Sequence, residues 1–234
     1  PMHPWCRSTT ISVIDEETLR NMKRSAYNPK TGRTETVPAN MTYDQWYKKY
    51  VKGNAKAEAE EKSIQNAASD KKQYERYREI LGKDAPKRFA DFQEMKYNDP
   101  EKWRFTKLDY QRRNELLQHP ELKLPNAENA MAADAKFEKY LFGGSHPEGL
   151  AKGNAFSSRL GYDAENWNSL KKQIIARAPQ YPALSKGVNG YGKHMYEQKI
   201  VLYGLKGTPA NVVVGWSADD KSVTMASAYI KEVK

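Results

Sequence analysis

Two histidines in the last third of the chain, His146 and His194, are the residues best suited to acid–base chemistry. The unperturbed pKa of imidazole lies close to working pH, so a histidine can accept a proton and return it. His146 stands in a Gly-Gly-Ser-His-Pro loop before a predicted helix, and His194 stands beside the Gly190-Tyr191-Gly192 turn, where a strand begins. Lys152 is expected in the first turn of the helix after His146, where its ammonium and the local amides could both face a phosphate.

Two further candidates lie on the last predicted strand. Strict alternation of side chains puts Val223, Met225, Ser227 and Tyr229 on one face of that strand. Ser227 and Tyr229 would end an otherwise apolar face. We therefore expect these two polar side chains to line a cleft.

Each candidate also has a purely structural role open to it. His146 could have no role beyond capping a loop, and Lys152 could be a solvated helix residue. Ser227 and Tyr229 could hydrogen-bond within the sheet. Trp216 ends a Val-Val-Val run, which favours a core position over a base-stacking platform.

The elements that must position these residues have an α+β pattern. Helical periodicity includes Phe156, stops at Leu160-Gly161-Tyr162 and resumes from Asn166 to Ile175. Strand patterns follow, separated by turns at Gly204 to Gly207 and at Asp219-Asp220. The expected fold of this part is a set of helices packed on an antiparallel meander with its own core. The predicted strands include Ile200 and Leu202, Val212 to Trp216, and Val223 to Ile230.

The rest of the chain predicts a largely helical segment, residues 1–118, joined by a linker at residues 119–135 to the C-terminal domain at residues 136–234. A Pro-rich entry leads into a strand that ends at Val13, and Asp15 is expected to cap a helix through Met22. A hairpin turn is expected at Asn28 to Gly32, and Thr42 with Gln45 predicts a capping box. A long, mostly polar helix is predicted from Ala55 to Ile80.

The composition limits the function classes. A net charge of +10 would suit a polyanion, but residues 1–130 and 131–234 each carry +5, and an even spread is also typical of a solvated basic surface. Cys6 is the single cysteine, which excludes an internal disulfide framework, and His3 with Cys6 supplies too few ligands for zinc. We expect no metal, no cofactor and no membrane span. Because the chain begins with Pro1, we expect it to be part of a longer protein.

Four motifs stand out in the first 130 residues. They are HPWCRSTT at His3 to Thr10, YDQWYKKYV at Tyr43 to Val51, LGKDAPKRFADFQEMKYNDPEKW at Leu81 to Trp103, and LPNAENA at Leu124 to Ala130. These motifs resemble the C-terminal region of phage minor head (head-morphogenesis, Mu F type) proteins, although the chain departs from the pattern at Cys6-Arg7-Ser8, where many members carry a second cysteine. The resemblance implies portal or capsid proteins as partners, a place in the virion and the host bacterial cytoplasm, and variable C-terminal domains that look like toxins.

The last third carries a further set of matching residues, which include Lys136, Tyr140-Leu141, Lys152 to Phe156, Ala210-Asn211-Val212 and Trp216. With these residues it is similar to a small uncharacterised domain found on phage head proteins and at the ends of bacterial polymorphic toxins. If such a toxin is made inside a cell, a cognate immunity protein is expected. The element order also resembles the barnase, EndoU, colicin and RelE ribonuclease superfold, which implies a metal-independent endoribonuclease with RNA as its substrate.

Cleavage of RNA without a metal needs a base for the 2′-hydroxyl proton, an acid for the leaving oxygen, and cations or donors that face the phosphorane. The catalytic candidates for these roles are His146, His194, Lys152, Ser227 and Tyr229.

Two other classes of function remain open. The C-terminal domain could be a non-catalytic virion or partner-binding module, with the helix from Ala55 to Ile80 as an assembly surface. It could also be an NAD-consuming toxin, although the sequence has no visible set of Arg, Ser-x-Ser and Glu-x-Glu.

Overall fold

A computed structural model describes residues 15–233 of the chain. These residues form two compact units. The first comprises the described residues up to Glu79 with Lys83–Pro100, and the second comprises Ile80–Gly82 and the described residues from Glu101 onward. Helices make up about 52% and strands 23%, so the expected α+β class is confirmed. The predicted entry strand, with His3 and Cys6, lies outside the described residues.

Local capping sets where the elements of the first unit begin. The Asp15 carboxylate accepts a hydrogen bond from the Thr18 amide at 2.6 Å and caps the first helix, as predicted. Thr42 and Gln45 form both hydrogen bonds of the predicted capping box. The expected hairpin is also present. The elements are α1 (Glu16–Asn21), β1 (Lys23–Asn28), β2 (Arg33–Pro38), α2 (Tyr43–Tyr50), α3 (Ala55–Gln65), α4 (Ala67–Leu81) and α5 (Phe89–Asn98).

The helix predicted from Ala55 to Ile80 is divided in two. Asn66, between α3 and α4, leaves helical geometry with φ −95° and ψ 6°. Tyr74 and Tyr77 of α4 are buried against Phe92 of α5, with ring centroids 5.5 and 5.7 Å apart. The prediction of one continuous helix was therefore wrong, and the side of α4 that carries Tyr74 and Tyr77 packs within its own unit.

The second unit is a five-stranded sheet with helices on both of its faces. The strand order is β3-β7-β6-β5-β4, with β3 parallel to β7 and the other neighbours antiparallel. The predicted antiparallel meander is thus extended by one strand at each edge. The elements are α6 (Pro100–Gln118), β3 (Ala130–Met131), a π-helical turn (Lys136–Leu141), α7 (Pro147–Leu160), α8 (Trp167–Arg177), β4 (Ala183–Val188), β5 (His194–Tyr203), β6 (Pro209–Ala218) and β7 (Val223–Ile230).

The core of this unit lies between the sheet and the layer formed by α7, α8 and the π-helical turn. Trp216 is fully buried there, and its indole Nε1 donates to Gln198 Oε1 at 2.8 Å, so the predicted core position is confirmed. The strand residues of this core face are Ile200, Leu202, Ala210, Val212, Val214, Trp216, Ala218, Val223, Met225 and Ala228.

α6 packs on the opposite face of the sheet. Tyr203, which alternates with the core residues of β5, donates its hydroxyl to the Asp109 carboxylate at 3.1 Å. Arg112 Nη1 donates to Asn211 Oδ1 at 2.8 Å on the neighbouring strand. One end of this face is therefore covered by a helix that the sequence assigns to a separate N-terminal segment.

The segment 119–135 does not behave as the predicted linker. Leu124, Ala127, Ala130 and Ala132 are buried in the core of the second unit. Pro120 and Pro125 in the first half of this segment are typical of a linker, but its apolar residues enter the core. The change from one compact unit to the other falls near residue 100.

The α6 contact centres on a buried carboxylate. Asp109 is fully buried, accepts hydrogen bonds from Arg113 Nε at 2.8 Å and from the Tyr181 hydroxyl, and lies 3.7 Å from Arg177 Nη1. Both guanidiniums are almost fully buried. One anion therefore compensates two buried cations.

Among residues 15–233, no helix has the length and apolar character that crossing a membrane would require.

Replacement of Asp109 should therefore destabilise the protein strongly. Asp109→Asn keeps the side-chain volume but removes the negative charge that pairs with both buried guanidiniums, and we expect a loss of roughly 3–5 kcal/mol in the free energy of unfolding. Urea denaturation measures this loss. Glu128→Gln, which breaks the exposed pair with Lys123, is the control and should leave stability nearly unchanged. Equal effects of the two substitutions would contradict the assigned role of Asp109.

Candidate functional site

Lys152 is the centre of a small polar cluster on the second unit. Its Nζ lies 3.4 Å from Tyr140 Oη, 5.6 Å from the centroid of the Tyr140 ring and 6.0 Å from the centroid of the Tyr229 ring. The Oε2 atom of Glu148 lies 3.8 Å from Lys152 Nζ. The ammonium is thus held between two aromatic rings, an arrangement that favours a cation through the ring quadrupoles.

Lys152 does not lie in the first helical turn. α7 begins at Pro147, so Lys152 is its sixth residue and belongs to the second turn. The prediction that the ammonium would share a phosphate with the free amides of the helix start was wrong. Lys152 instead points its ammonium at Tyr140 of the π-helical turn and at Tyr229 of β7.

Close packing of α7 on the π-helical turn places Tyr140 beside Lys152. Gly149 and Gly153 are four residues apart and so share one face of the helix. A Cβ at Gly149 would lie 2.2 Å from the Tyr140 carbonyl oxygen, and a Cβ at Gly153 would lie 1.8 Å from the Leu141 carbonyl oxygen. The missing side chains therefore let the two backbones touch.

His146 adjoins this cluster through Tyr140. It occupies the N-cap position of α7, makes no side-chain capping hydrogen bond and is exposed. Its ring centroid lies 5.6 Å from that of Tyr140, at an interplanar angle of 37°. The alternative that the imidazole caps the helix is therefore excluded, and the ring faces solvent at the side of the cluster.

A β-bulge brings Tyr229 and Ser227 to the side opposite the core. Ser227 pairs with Gly215, whereas Met225 pairs with Trp216, so one extra residue, Ala226, interrupts the alternation in β7. The prediction that Val223 and Met225 share a face with Ser227 and Tyr229 was wrong, because strict alternation does not survive the extra residue. Val223 and Met225 face the core instead.

The side chains of Ser227 and Tyr229 are half-buried. Within residues 15–233 neither hydroxyl has a hydrogen-bond partner, which excludes the alternative that both are satisfied inside the sheet. Ser227 Oγ lies 2.8 Å from the position that a Cβ would take at Gly215. Both hydroxyls are thus accessible for interaction with a ligand.

His194 lies apart from the other candidates. It is the first residue of β5 and pairs with Ala218, whereas Tyr229 pairs with Val213. Five residues of β6 separate these two pairs, which corresponds to roughly 16 Å along the sheet at about 3.3 Å per residue. The structure therefore places His146 and Lys152 against Tyr140 and Lys152 against Tyr229, with Ser227 two residues before Tyr229 in β7, and it does not bring His194 to them.

Tyr140 is the member of the cluster that sequence reasoning missed as a site residue. A π-helical turn has no reliable sequence signature, so the direction of its side chains could not be predicted. The available signal was the pair Gly149 and Gly153, since two glycines at helical spacing indicate a close backbone approach to whatever covers α7.

The buried cluster around Asp109 is a second group of titratable side chains, but it is closed to solvent. Burial and the nearby Asp109 charge raise the pKa of Tyr181 to about 12, and burial also raises the pKa of Tyr203. Both phenols remain neutral donors to the carboxylate at ordinary pH. The cluster therefore stabilises the fold and offers a substrate no access.

Residues 15–233 contain no group of three or more His, Cys, Asp or Glu side chains placed to hold a metal ion.

The close contact between α7 and the π-helical turn predicts a steric effect. Gly153→Ala should lower the free energy of unfolding by about 1–3 kcal/mol, because the new methyl group would overlap a backbone carbonyl that cannot rotate away. Thermal and urea denaturation measure this change. Gly190→Ala is the matched control, since a Cβ there meets no heavy atom within 4 Å. A neutral or stabilising Gly153→Ala would show that the two backbones are not in contact.

The raised pKa of Tyr181 predicts a loss of stability in alkali. The pKa of Tyr181 in the folded state, about 12, lies above its ordinary value of 10. The contribution of this phenol to folding stability is therefore complete below pH 10 and is lost as the pH rises towards 12. Tyr181→Phe should reduce the slope of unfolding free energy against pH in this range, by at most about 1.4 kcal/mol per pH unit. Tyr191→Phe, at a side chain that is 91% exposed, should leave the slope unchanged.

Residues 123–232 match a protein family described as a domain of unknown function, DUF6883. No curated protein and no solved structure matches the chain. The matched residues contain His146, Lys152, Ser227, Tyr229 and Tyr140, but they leave out all of α6.

Proposed function

We propose that the second unit is a metal-independent endoribonuclease whose reacting groups are His146, Lys152 and Tyr229. The observation that carries this proposal is that Lys152 lies within 6.0 Å of the ring centroids of both Tyr140 and Tyr229, while the His146 ring lies 5.6 Å from the Tyr140 ring. These groups come from a loop, a helix and a strand, and they stand at an accessible surface. Their chemical types match the three needs of RNA cleavage, namely a base, a fixed cation and a hydroxyl donor.

The proposed reaction is an internal transfer of the phosphodiester. His146 removes the proton of the 2′-hydroxyl while the 2′-oxygen bonds to phosphorus, and the bond from phosphorus to the 5′-oxygen breaks. The Tyr229 hydroxyl donates a proton to that leaving oxygen. Lys152 stabilises the charge of the phosphorane oxygens, and Ser227 donates a hydrogen bond to the same phosphate. The products are a 2′,3′-cyclic phosphate and a 5′-hydroxyl.

The proposed biological setting is that of a toxin-like domain on a phage minor head protein. The support is the set of motifs in the first 130 residues, which resemble the C-terminal region of head-morphogenesis proteins. In this setting the first unit would contact portal or capsid proteins in the virion. The second unit would act in the host bacterial cytoplasm, where a cognate immunity protein could bind it.

A cleavage assay on the full chain tests the proposal. Single-stranded RNA should be cut in the presence of a chelator, and the products should carry 2′,3′-cyclic phosphate ends. His146→Ala should reduce the rate about 10²–10⁴-fold, because it removes the base. Lys152→Ala should reduce it by about 10²-fold or more, because it removes the cation beside the phosphorane.

Two matched variants complete this experiment. His194→Ala should retain activity, because His194 lies at the far end of the sheet, and Lys172→Ala should retain it because Lys172 is an exposed lysine of α8. Equal losses in His146→Ala and His194→Ala would contradict the assignment of the base. If no RNA is cleaved under any condition and portal or capsid protein co-purifies with the chain, the nuclease proposal is wrong. The function is then that of a partner-binding module.

A further inference from the structure

A cleft of about 280 Å³ lies between α3 and α5 of the first unit. Its α3 wall follows one face of the helix, since the lining positions are spaced i, i+3, i+4 and i+7. The α5 wall has the same spacing, and it contributes Ala90 opposite Ala59 of α3. Because these two side chains are short, space remains between the helices. The lining residues of α3 are Lys56, Ala59, Glu60 and Ser63.

A buried carboxylate beside the cleft fixes the position of its α5 wall. Asp70 of α4 is 1% exposed and accepts hydrogen bonds from Gln93 Nε2 at 3.1 Å and from the Tyr97 hydroxyl at 2.8 Å. Gln93 Nε2 also donates to the Ser63 carbonyl oxygen at 2.7 Å, which ties α5 to α3. Lys96 supplies the cation for Asp70, with Nζ 2.6 Å from Oδ1. The walls of the cleft are therefore held by a satisfied polar network, and the site is preformed.

Three charged side chains line this cleft without an oppositely charged neighbour. Among residues 15–233, the Lys56 ammonium has no carboxylate within 4.0 Å, and the carboxylates of Glu60 and Glu94 have no cation within that distance. Glu60 Oε1 instead accepts from the Tyr27 hydroxyl at 2.5 Å, and Glu94 Oε2 accepts from Asn98 Nδ2 at 2.8 Å. Both partners are neutral donors, so the two negative charges and the one positive charge of the cleft remain uncompensated.

We infer that this cleft binds a basic α-amino acid such as lysine. The free amino acid carries two cationic groups and one carboxylate, which is the inverse of the charges on Glu60, Glu94 and Lys56. The two glutamates stand on opposite walls, so each accepts N–H donors from one cationic group, while Lys56 Nζ donates to the ligand carboxylate. The methylene chain of the ligand lies against Ala59 and Ala90.

The size of the cleft agrees with this choice of ligand. A volume of about 280 Å³ equals that of roughly nine water molecules at about 30 Å³ each, which suits a ligand of roughly ten non-hydrogen atoms. Lysine has a molecule of this size. A nucleotide or a larger cofactor would not fit between the two helices.

Calorimetry with three matched compounds and the full chain tests the inference. L-lysine should bind with a Kd of about 1 mM or below. L-norleucine lacks the side-chain ammonium and pentane-1,5-diamine lacks the carboxylate, so each should bind about 5-fold more weakly or worse. No binding of L-lysine up to about 10 mM, or equal binding of L-lysine and either of the other compounds, would overturn the inference.

Charge variants test whether binding takes place in the cleft. Glu94→Gln should weaken L-lysine about 5-fold to 10-fold, because the amide keeps the shape of the side chain and loses its charge. Lys56→Gln should weaken L-lysine by a similar factor but should not weaken pentane-1,5-diamine, which has no carboxylate. Glu75→Gln, at an exposed position of α4 outside the cleft, is the control and should change neither affinity.

A steric variant separates the cleft from a general effect of charge. Ala90 is exposed on α5, so Ala90→Leu fills the cleft while the charged residues and the buried network around Asp70 stay in place. The variant should keep its melting temperature and lose about 10-fold or more in L-lysine affinity. An unchanged affinity in Ala90→Leu, or an equal loss in Glu94→Gln and Glu75→Gln, would overturn the inference.

Discussion

The second unit depends on one buried ion cluster. The Asp109 carboxylate on α6 compensates the guanidiniums of Arg113 and Arg177 and accepts the hydroxyls of two tyrosines. Because a buried charge without a partner is very unfavourable, α6 and the sheet must be present together. The helix that supplies the anion also determines how much of the sheet remains open. The cluster thus links the stability of the unit to the shape of its accessible face.

The candidate site is set up by departures from regular structure. The π-helical turn and two glycines in α7 bring Tyr140 against Lys152, and the bulge at Ala226 turns Tyr229 away from the core. Each of these features is local and involves one or two residues. Together they bring Tyr229, from the end of the chain, close to Lys152, which stands beside Tyr140. Such features often occur next to functional sites, where they redirect a side chain that regular geometry would bury.

The sequence predicted the parts of the fold that follow from local physics. Caps such as Asp15 and Thr42, the stop at Gly161 and the alternation in β5 all depend on neighbouring residues. It failed where a distant contact decides the outcome. To predict that residues 119–135 join the core, one must know the sheet that covers them. To predict the bulge in β7, one must know its register with β6. Ser227 and Tyr229 of β7 therefore remain candidates chosen by residue type, while the face assigned to Val223 and Met225 was wrong.

The position of α6 also bears on how the C-terminal unit can be isolated. The family match begins at residue 123, which lies beyond the end of α6 at Gln118. A fragment cut at that boundary would retain Arg177, Tyr181 and Tyr203 but lose the carboxylate around which they are arranged. Expression of such a fragment would yield insoluble or unfolded material, and its inactivity would say nothing about catalysis. A fragment suited to recombinant work begins no later than Glu101.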